Sequence, residues 1–161
     1  MNFKVKSKAD QSDLDEFESR YLFSLPEEYK DFLKNQNGGR LNGLYVFAEE
    51  YVVHAFLGIN NKQDHFDLTQ EYDELAKMLP KKFLPFALDS GGNYYLINLR
   101  SKNYTIYFWD HNLQTEGTRS TGLEKISKSF NTFVNQVKPD KVEIKTEVIR
   151  KDGKIILRRI D

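Results

Sequence analysis

Few residues in this chain of 161 could do chemistry: three histidines, no cysteine, some neighbouring carboxylates and one serine followed by two glycines. That serine lies in LPFALDSGGNYYLINL, residues 84–99, within Asp89-Ser90-Gly91-Gly92. A histidine–aspartate–serine relay would draw its imidazole from His54 and its carboxylate from Asp64, Asp67 or Asp73, in that chain order. Only 36 positions separate His54 from Ser90, too few for a two-barrel scaffold that carries such a relay in that order. Ser90 also sits between two segments that read as central strands. A phosphate cradle would need glycines leading from a strand into a helix whose N-terminus meets the anion, whereas these glycines lead into another strand. The remaining reading is a turn, with Gly91 and Gly92 free to take positive φ and Asp89 or Asn93 bonding the backbone.

The other polar residues form no recognisable reactive set. His54, His65 and His111 lack the spacing of a helical zinc motif, so no metal and no cofactor is expected. Glu49-Glu50 and Asp73-Glu74 are adjacent pairs, and neighbouring side chains in a strand or helix point in different directions. They read as solvated acids rather than as an acid/base dyad. The absence of cysteine removes disulfides, zinc–thiolate sites and thiol catalysis. Together these observations predict a protein that is not an enzyme.

Charge narrows the partners. Lysine plus arginine and aspartate plus glutamate each total 24, so no bulk positive field exists to bind a nucleic-acid backbone through counterion release. The balance is uneven along the chain: Asp10 to Asp31 holds eight acids against Arg20 and Lys30, which predicts one acidic face. The first residues lack the apolar core of a secretory signal, and no apolar run approaches the roughly 20 residues that cross a bilayer. A soluble, cytoplasmic protein is expected.

The elements that position these residues follow from periodicity. A short helix is expected over Asp13 to Tyr21. SLPEEYKDFLKNQNGG then predicts a second, with Ser24 as N-cap, Pro26 in the first turn, Glu27 and Glu28 at the positive end of the dipole and Gly38 as the left-handed stop. LNGLYVFA and YVVHAFLGI are rich in β-branched and aromatic residues and read as an antiparallel pair. Leu68, Tyr72, Leu75, Ala76 and Leu79 recur at helical spacing up to Pro80. Strands follow near Leu84 to Leu88, Tyr94 to Leu99 and Tyr104 to Trp109, joined by links short enough for a meander. In the last of these, Tyr104, Ile106 and Phe108 share one face, and Thr105, Tyr107 and Trp109 the other. The second face either packs under a helix or offers aromatic anchors to a partner. Leu123, Ile126, Phe130, Phe133, Val134 and Val137 predict a long final helix from about Gly122, ended by Pro139.

Beyond Pro139 the composition shifts. Asp152-Gly153 is a two-residue hairpin signal that would set Lys151 against Lys154, Val148 against Leu157 and Glu147 against Arg158. An isolated two-stranded ribbon is marginal in water, so this hairpin is expected to dock on its own domain or on a second copy, giving a homodimer. The division expected is a domain over 1–139 and a hairpin extension over 140–161.

Three segments in order, LPEEYKDFLKNQNGG, FLPFALDSGGNYYLINL and IYFWDH, resemble the SUKH superfamily, which contains bacterial immunity proteins and fungal cell-wall synthesis regulators. The likeness covers about residues 13 to 138. It rests on Leu25, Pro26, Tyr29, Leu33, Asn37, Gly38 and Gly39, then Phe86, Ala87, Asp89, Gly92, Asn93 and Tyr95, then Tyr107, Trp109 and Asp110. Where such proteins often carry an aspartate after the second segment's strand, this chain has Asn98. The resemblance implies an α+β fold, a central, mostly antiparallel sheet packed by helices. It also implies a non-enzymatic immunity protein that binds and neutralises a cognate toxin domain, often a nuclease, by occlusion and charge complementarity. The alternative is a scaffold or regulatory binding module like the fungal relatives. The residues expected to meet a partner are Glu49, Glu50, Asp64, Asp67, Asp89 and Asp110, with Tyr94, Tyr104 and Trp109 as aromatic anchors.

Overall fold

The computed structural model describes residues 1–61, 66–114 and 121–141, and the backbone of 146–151 and 154–159. Helix α1, Gln11–Tyr21, opens on a reciprocal capping box in which the Asp10 carboxylate accepts the Asp13 amide while the Asp13 carboxylate accepts the Asp10 amide. Helix α2, Glu27–Asn35, differs from expectation at both ends: Pro26 occupies the cap position with no side-chain bond, and the chain leaves the helix at an extended Gln36. Ser24 does not cap it. Glu18 instead reaches across from α1 to accept the Leu25 amide at 2.6 Å, so a carboxylate from another helix holds the connection.

Strands β1 (Gly39–Phe47) and β2 (Tyr51–Phe56) form the expected antiparallel pair. Their turn runs through Ala48 and Glu49, both at positive φ. Helix α3 covers Leu68–Leu75 and gives way to a turn before Pro80. The meander follows as β3 (Phe83–Leu88), β4 (Tyr94–Asn98) and β5 (Ile106–Trp109). Tyr104 stands outside β5 at φ 51°, in the turn that precedes it.

The expected long final helix is not formed. Leu123–Ser127 is instead strand β6, paired with β5, and the helix α4 is confined to Phe130–Gln136. Two local features decide this: Ser129 caps α4 through the Thr132 amide at 3.2 Å, and β5 offers a free edge to residues 123–127. Pro139 does not close the helix. It lies in β7 (Val137–Pro139), paired with Tyr45 of β1.

The sheet order is β6-β5-β4-β3-β2-β1-β7, antiparallel at every pairing. Helix α4 therefore carries the chain from one edge strand to the other. The sheet curls to allow it: the rings of Tyr51 on β2 and Phe108 on β5 are 5.1 Å apart, although three strand spacings on a flat sheet would separate them by roughly 14 Å. The Tyr51 hydroxyl also donates to Glu124 on β6 at 2.9 Å. Phe133 of α4 fills the concavity, with rings of Phe47, Phe86 and Tyr95 at 4.8, 5.3 and 5.2 Å. Tyr29 and Phe32 of α2 pack on Phe130 beside them. Each such aromatic contributes roughly 1.5–3 kcal/mol through burial. The result is an α+β fold whose core is rich in aromatic rings.

The second sheet face is also covered. Phe83, Leu96 and Trp109 are buried there against Leu75 and Leu79, the first from α3 and the second just after it. The strand alternation read from NYTIYFWDH is thus observed, with Ile106 and Phe108 in the main core and Tyr107 and Trp109 on the opposite side.

A buried polar clasp joins the α2–β1 turn to the segment after β2. Asn37, 3% exposed, donates to the Ile59 carbonyl at 2.7 Å and accepts the Ile59 amide at 2.8 Å. Asn61 then donates to the Asn37 carbonyl at 2.8 Å. The backbones approach so closely that a Cβ on Gly38 would lie 2.6 Å from the Gly58 nitrogen, and one on Gly58 would strike the Asn37 carbonyl. The Asn-Gly-Gly of the first segment is therefore a crossing point of two backbone segments, and Gly38 takes φ +65° to make it.

Strands β8 (Thr146–Lys151) and β9 (Lys154–Arg159) form a separate two-stranded sheet. Its register sets Lys151 opposite Lys154, Val148 opposite Leu157 and Glu147 opposite Arg158, as the turn signal predicts. Asp152-Gly153 itself lies outside the described residues.

Candidate protein-binding face

The last turn of α1 meets α3 through Arg20 and Tyr21, and the two helices with their caps are rich in acids. From Asp10 to Tyr21 there are five acids, and from Asp67 to Leu75 four, against Arg20 alone. Arg20 is taken up by Asp73, its guanidinium 2.7 Å from the carboxylate. Tyr21 donates to the same carboxylate at 2.7 Å, and burial together with that bond raises its pKa. Asp13 accepts from Asn60 at 2.9 Å. The Asp10 carboxyl is held below its usual range, chiefly by the Asp13 amide and then by the Ser12 hydroxyl. Asp15, Glu16, Asp73 and Glu74 remain exposed. Between the helices lies a cluster of rings: Tyr21 and Tyr72 at 4.8 Å, Tyr21 and Phe23 at 6.0 Å, Phe23 and Tyr72 at 5.9 Å. All three are half-buried. An aromatic centre with a charged rim is the usual anatomy of a protein interface.

The residues expected from the sequence to meet a partner are dispersed. Glu49 and Glu50 are exposed in the β1–β2 turn. Asp67 is the N-cap of α3, accepting the Gln70 amide at 3.0 Å, and so stands at the border of the acidic face. Asp64 lies outside the described residues, as does His65. Asp89 and Asp110 are brought together, but by structural bonds. Asp89 accepts the amides of Gly91 and Asn93, both at 2.8 Å, and the Asn93 side chain at 2.9 Å. Asn93 then accepts from the His111 ring at 2.7 Å, and Asp110 caps the short turn His111–Leu113. DSGG is thus the turn that the sequence predicts, and the imidazole beside it faces Asn93.

The aromatic anchors also need revision. Trp109 is 0% exposed, its indole donating to the Thr121 carbonyl at 3.1 Å, so it belongs to the core and cannot present its ring to a partner. The physical reason is α3, which covers that sheet face. Tyr94 is half-buried, its hydroxyl donating to Glu71 of α3 at 2.5 Å. Tyr104 lines an open cleft of about 550 Å³ with Leu25, Pro26, Lys102 and Lys128. The acids of α1 carried a signal in the sequence, the local imbalance after Asp10. Their meeting with α3 had none, because residues 53 positions apart join only through tertiary contacts such as Arg20–Asp73.

Among the described residues no group of histidines and acids could hold a metal ion, and no helix is long and apolar enough to cross a membrane. The chain is similar to the SPbeta prophage-derived uncharacterized protein YokK of Bacillus subtilis (strain 168), with 28% identity over 155 residues, covering 83% of this chain and 77% of that protein. The family profile described as SMI1 / KNR4 family (SUKH-1) matches residues 8–136. That span runs from just before α1 to the end of α4 and includes the clasp, six of the seven strands of the curled sheet and both acidic helices, so this chain belongs to the SMI1 / KNR4 (SUKH-1) family.

Proposed function

We propose that this chain is an immunity protein: it binds a cognate toxin domain, with a basic nuclease as the best fit, and blocks it by covering its working surface. Family membership supports a binding role of this type, and the similarity to a prophage-derived protein fits it. The observation that carries the reading is the acidity of α1 and α3 with their caps, nine acids against one arginine in the two segments, of which, among the described residues, Glu18 alone is also met by a lysine, Lys30 of α2 at 3.7 Å. A nuclease cleft is positively charged because it must hold phosphates. An acidic face of this size steers such a partner at long range and makes association depend on ionic strength. The chain acts in this reading by shape and charge, in the cytoplasm of the cell that makes the toxin.

The test is co-expression with the protein domain encoded by the neighbouring reading frame, as the candidate toxin. Growth is rescued by the wild-type chain, and the purified pair associates with a rate that falls at least tenfold between 50 and 500 mM salt. Reversing Asp15, Glu16 and Glu74 to lysine slows association by about 10- to 100-fold without unfolding the protein, because all three side chains are exposed. Failure of the wild-type chain to bind that domain would end the immunity reading.

A further inference from the structure

Leu22 is 88% exposed, more than any other large apolar side chain among the described residues. It ends α1 in the left-handed conformation, φ 56° and ψ 42°, a position where glycine is the favoured residue. A leucine here is disfavoured twice, once by its backbone and once by its contact with water. The side chains that flank it sharpen the point. With Asp15, Glu18, Ser19, Phe23 and Ser24 it borders a shallow depression of about 420 Å³. Behind that depression stand the half-buried rings of Phe23, Tyr21 and Tyr72.

Resting on the binding role proposed above, we infer that Leu22 is the apolar anchor of the partner contact. It seats in a socket on the toxin surface lined by aliphatic or aromatic groups and ringed by lysine or arginine. Charge complementarity selects this occupant: Asp15 on the rim is exposed and has no ion pair among the described residues, while Glu18 is met by Lys30 at 3.7 Å and Asp73, past Tyr21, by Arg20, which leaves the surroundings of Leu22 net acidic. Apolar contact at the centre holds the complex once formed, whereas the acids govern how fast it forms.

The same geometry supplies a substitution that separates binding from folding. Leu22→Gly removes the anchor and relieves the left-handed strain, so its melting temperature equals or exceeds that of the wild type. Its affinity for the candidate toxin domain of the co-expression test, measured by calorimetry, falls at least tenfold through faster dissociation. Leu22→Met keeps an apolar side chain and binds within threefold of wild type. Leu22→Gly binding within threefold of wild type would overturn the anchor while leaving the immunity reading intact. A fall of more than 5 °C in its melting temperature would overturn it too, by making Leu22 a structural residue. A folded wild type that does not bind that domain removes the immunity reading, and the anchor with it.

Discussion

Asn37→Ala tests the clasp that holds the molecule's first helical layer to its sheet. The side chain makes two bonds to the backbone of Ile59, at 2.7 and 2.8 Å, and both partners are buried: Ile59 is 2% exposed. Truncation removes these bonds and leaves a buried N–H and a buried carbonyl without their partner. Each such group costs about 1–3 kcal/mol, and partial relaxation brings the sum to roughly 2–5 kcal/mol. In a domain of this size each kcal/mol moves the melting temperature by about 2–4 °C, so the variant should melt roughly 5–15 °C below wild type. Differential scanning calorimetry measures it. Gly58→Ala attacks the same crossing from the other side, since its Cβ would meet the Asn37 carbonyl. The two changes should therefore be non-additive, the double variant losing markedly less than the sum. A fall below 2 °C for Asn37→Ala, or full additivity of the pair, would refute the clasp.

Other outcomes follow from single groups. The Tyr29 hydroxyl is buried and finds no hydrogen-bond partner among the described residues, so Tyr29→Phe should stabilise the protein by about 1 kcal/mol; a lower denaturation midpoint would contradict this. Burial raises the pKa of Tyr29 and Tyr95, and burial with the Glu124 bond pushes Tyr51 up to about 12. Above pH 10 the unfolded chain binds fewer protons than the folded one, so stability is whole below pH 10 and falls as pH rises towards 12. Tyrosinate absorbance should then rise together with loss of circular dichroism rather than before it. Asp89→Ala frees the amides of Gly91 and Asn93 and unlocks the Asn93 side chain. It should cost about 1 kcal/mol and mix the His111 ring tautomers, read from nitrogen chemical shifts.

Local pattern decided much of this molecule. The spacing of Tyr29 and Leu33 placed α2, alternation in β5 assigned its two faces, and Asp152-Gly153 set the hairpin register, because each depends on neighbours within a few residues. The SUKH likeness was legible in three short segments because Asp89 builds a local turn while Asn37 and Gly38 sit at a crossing with Gly58 and Ile59, and both geometries admit few residue types. Leu123 and Ile126 misled, since their helical spacing with Phe130 is equally available to a strand that reaches the free edge of β5. Trp109 misled in another way, as nothing near it in sequence announces that α3 will cover it.

The proposed binding face belongs mostly to the second kind. The acids after Asp10 were visible as a local excess, but their union with α3 into one surface, and the placing of Leu22 beside it, come from packing between residues some fifty positions apart. Sequence by itself determined most of the elements, β6 and β7 excepted, and that one region is acidic, because propensity and charge are properties of neighbouring residues. Only the tertiary structure decided which side chains the solvent, and hence a partner, can reach, because exposure is set by what the rest of the chain covers.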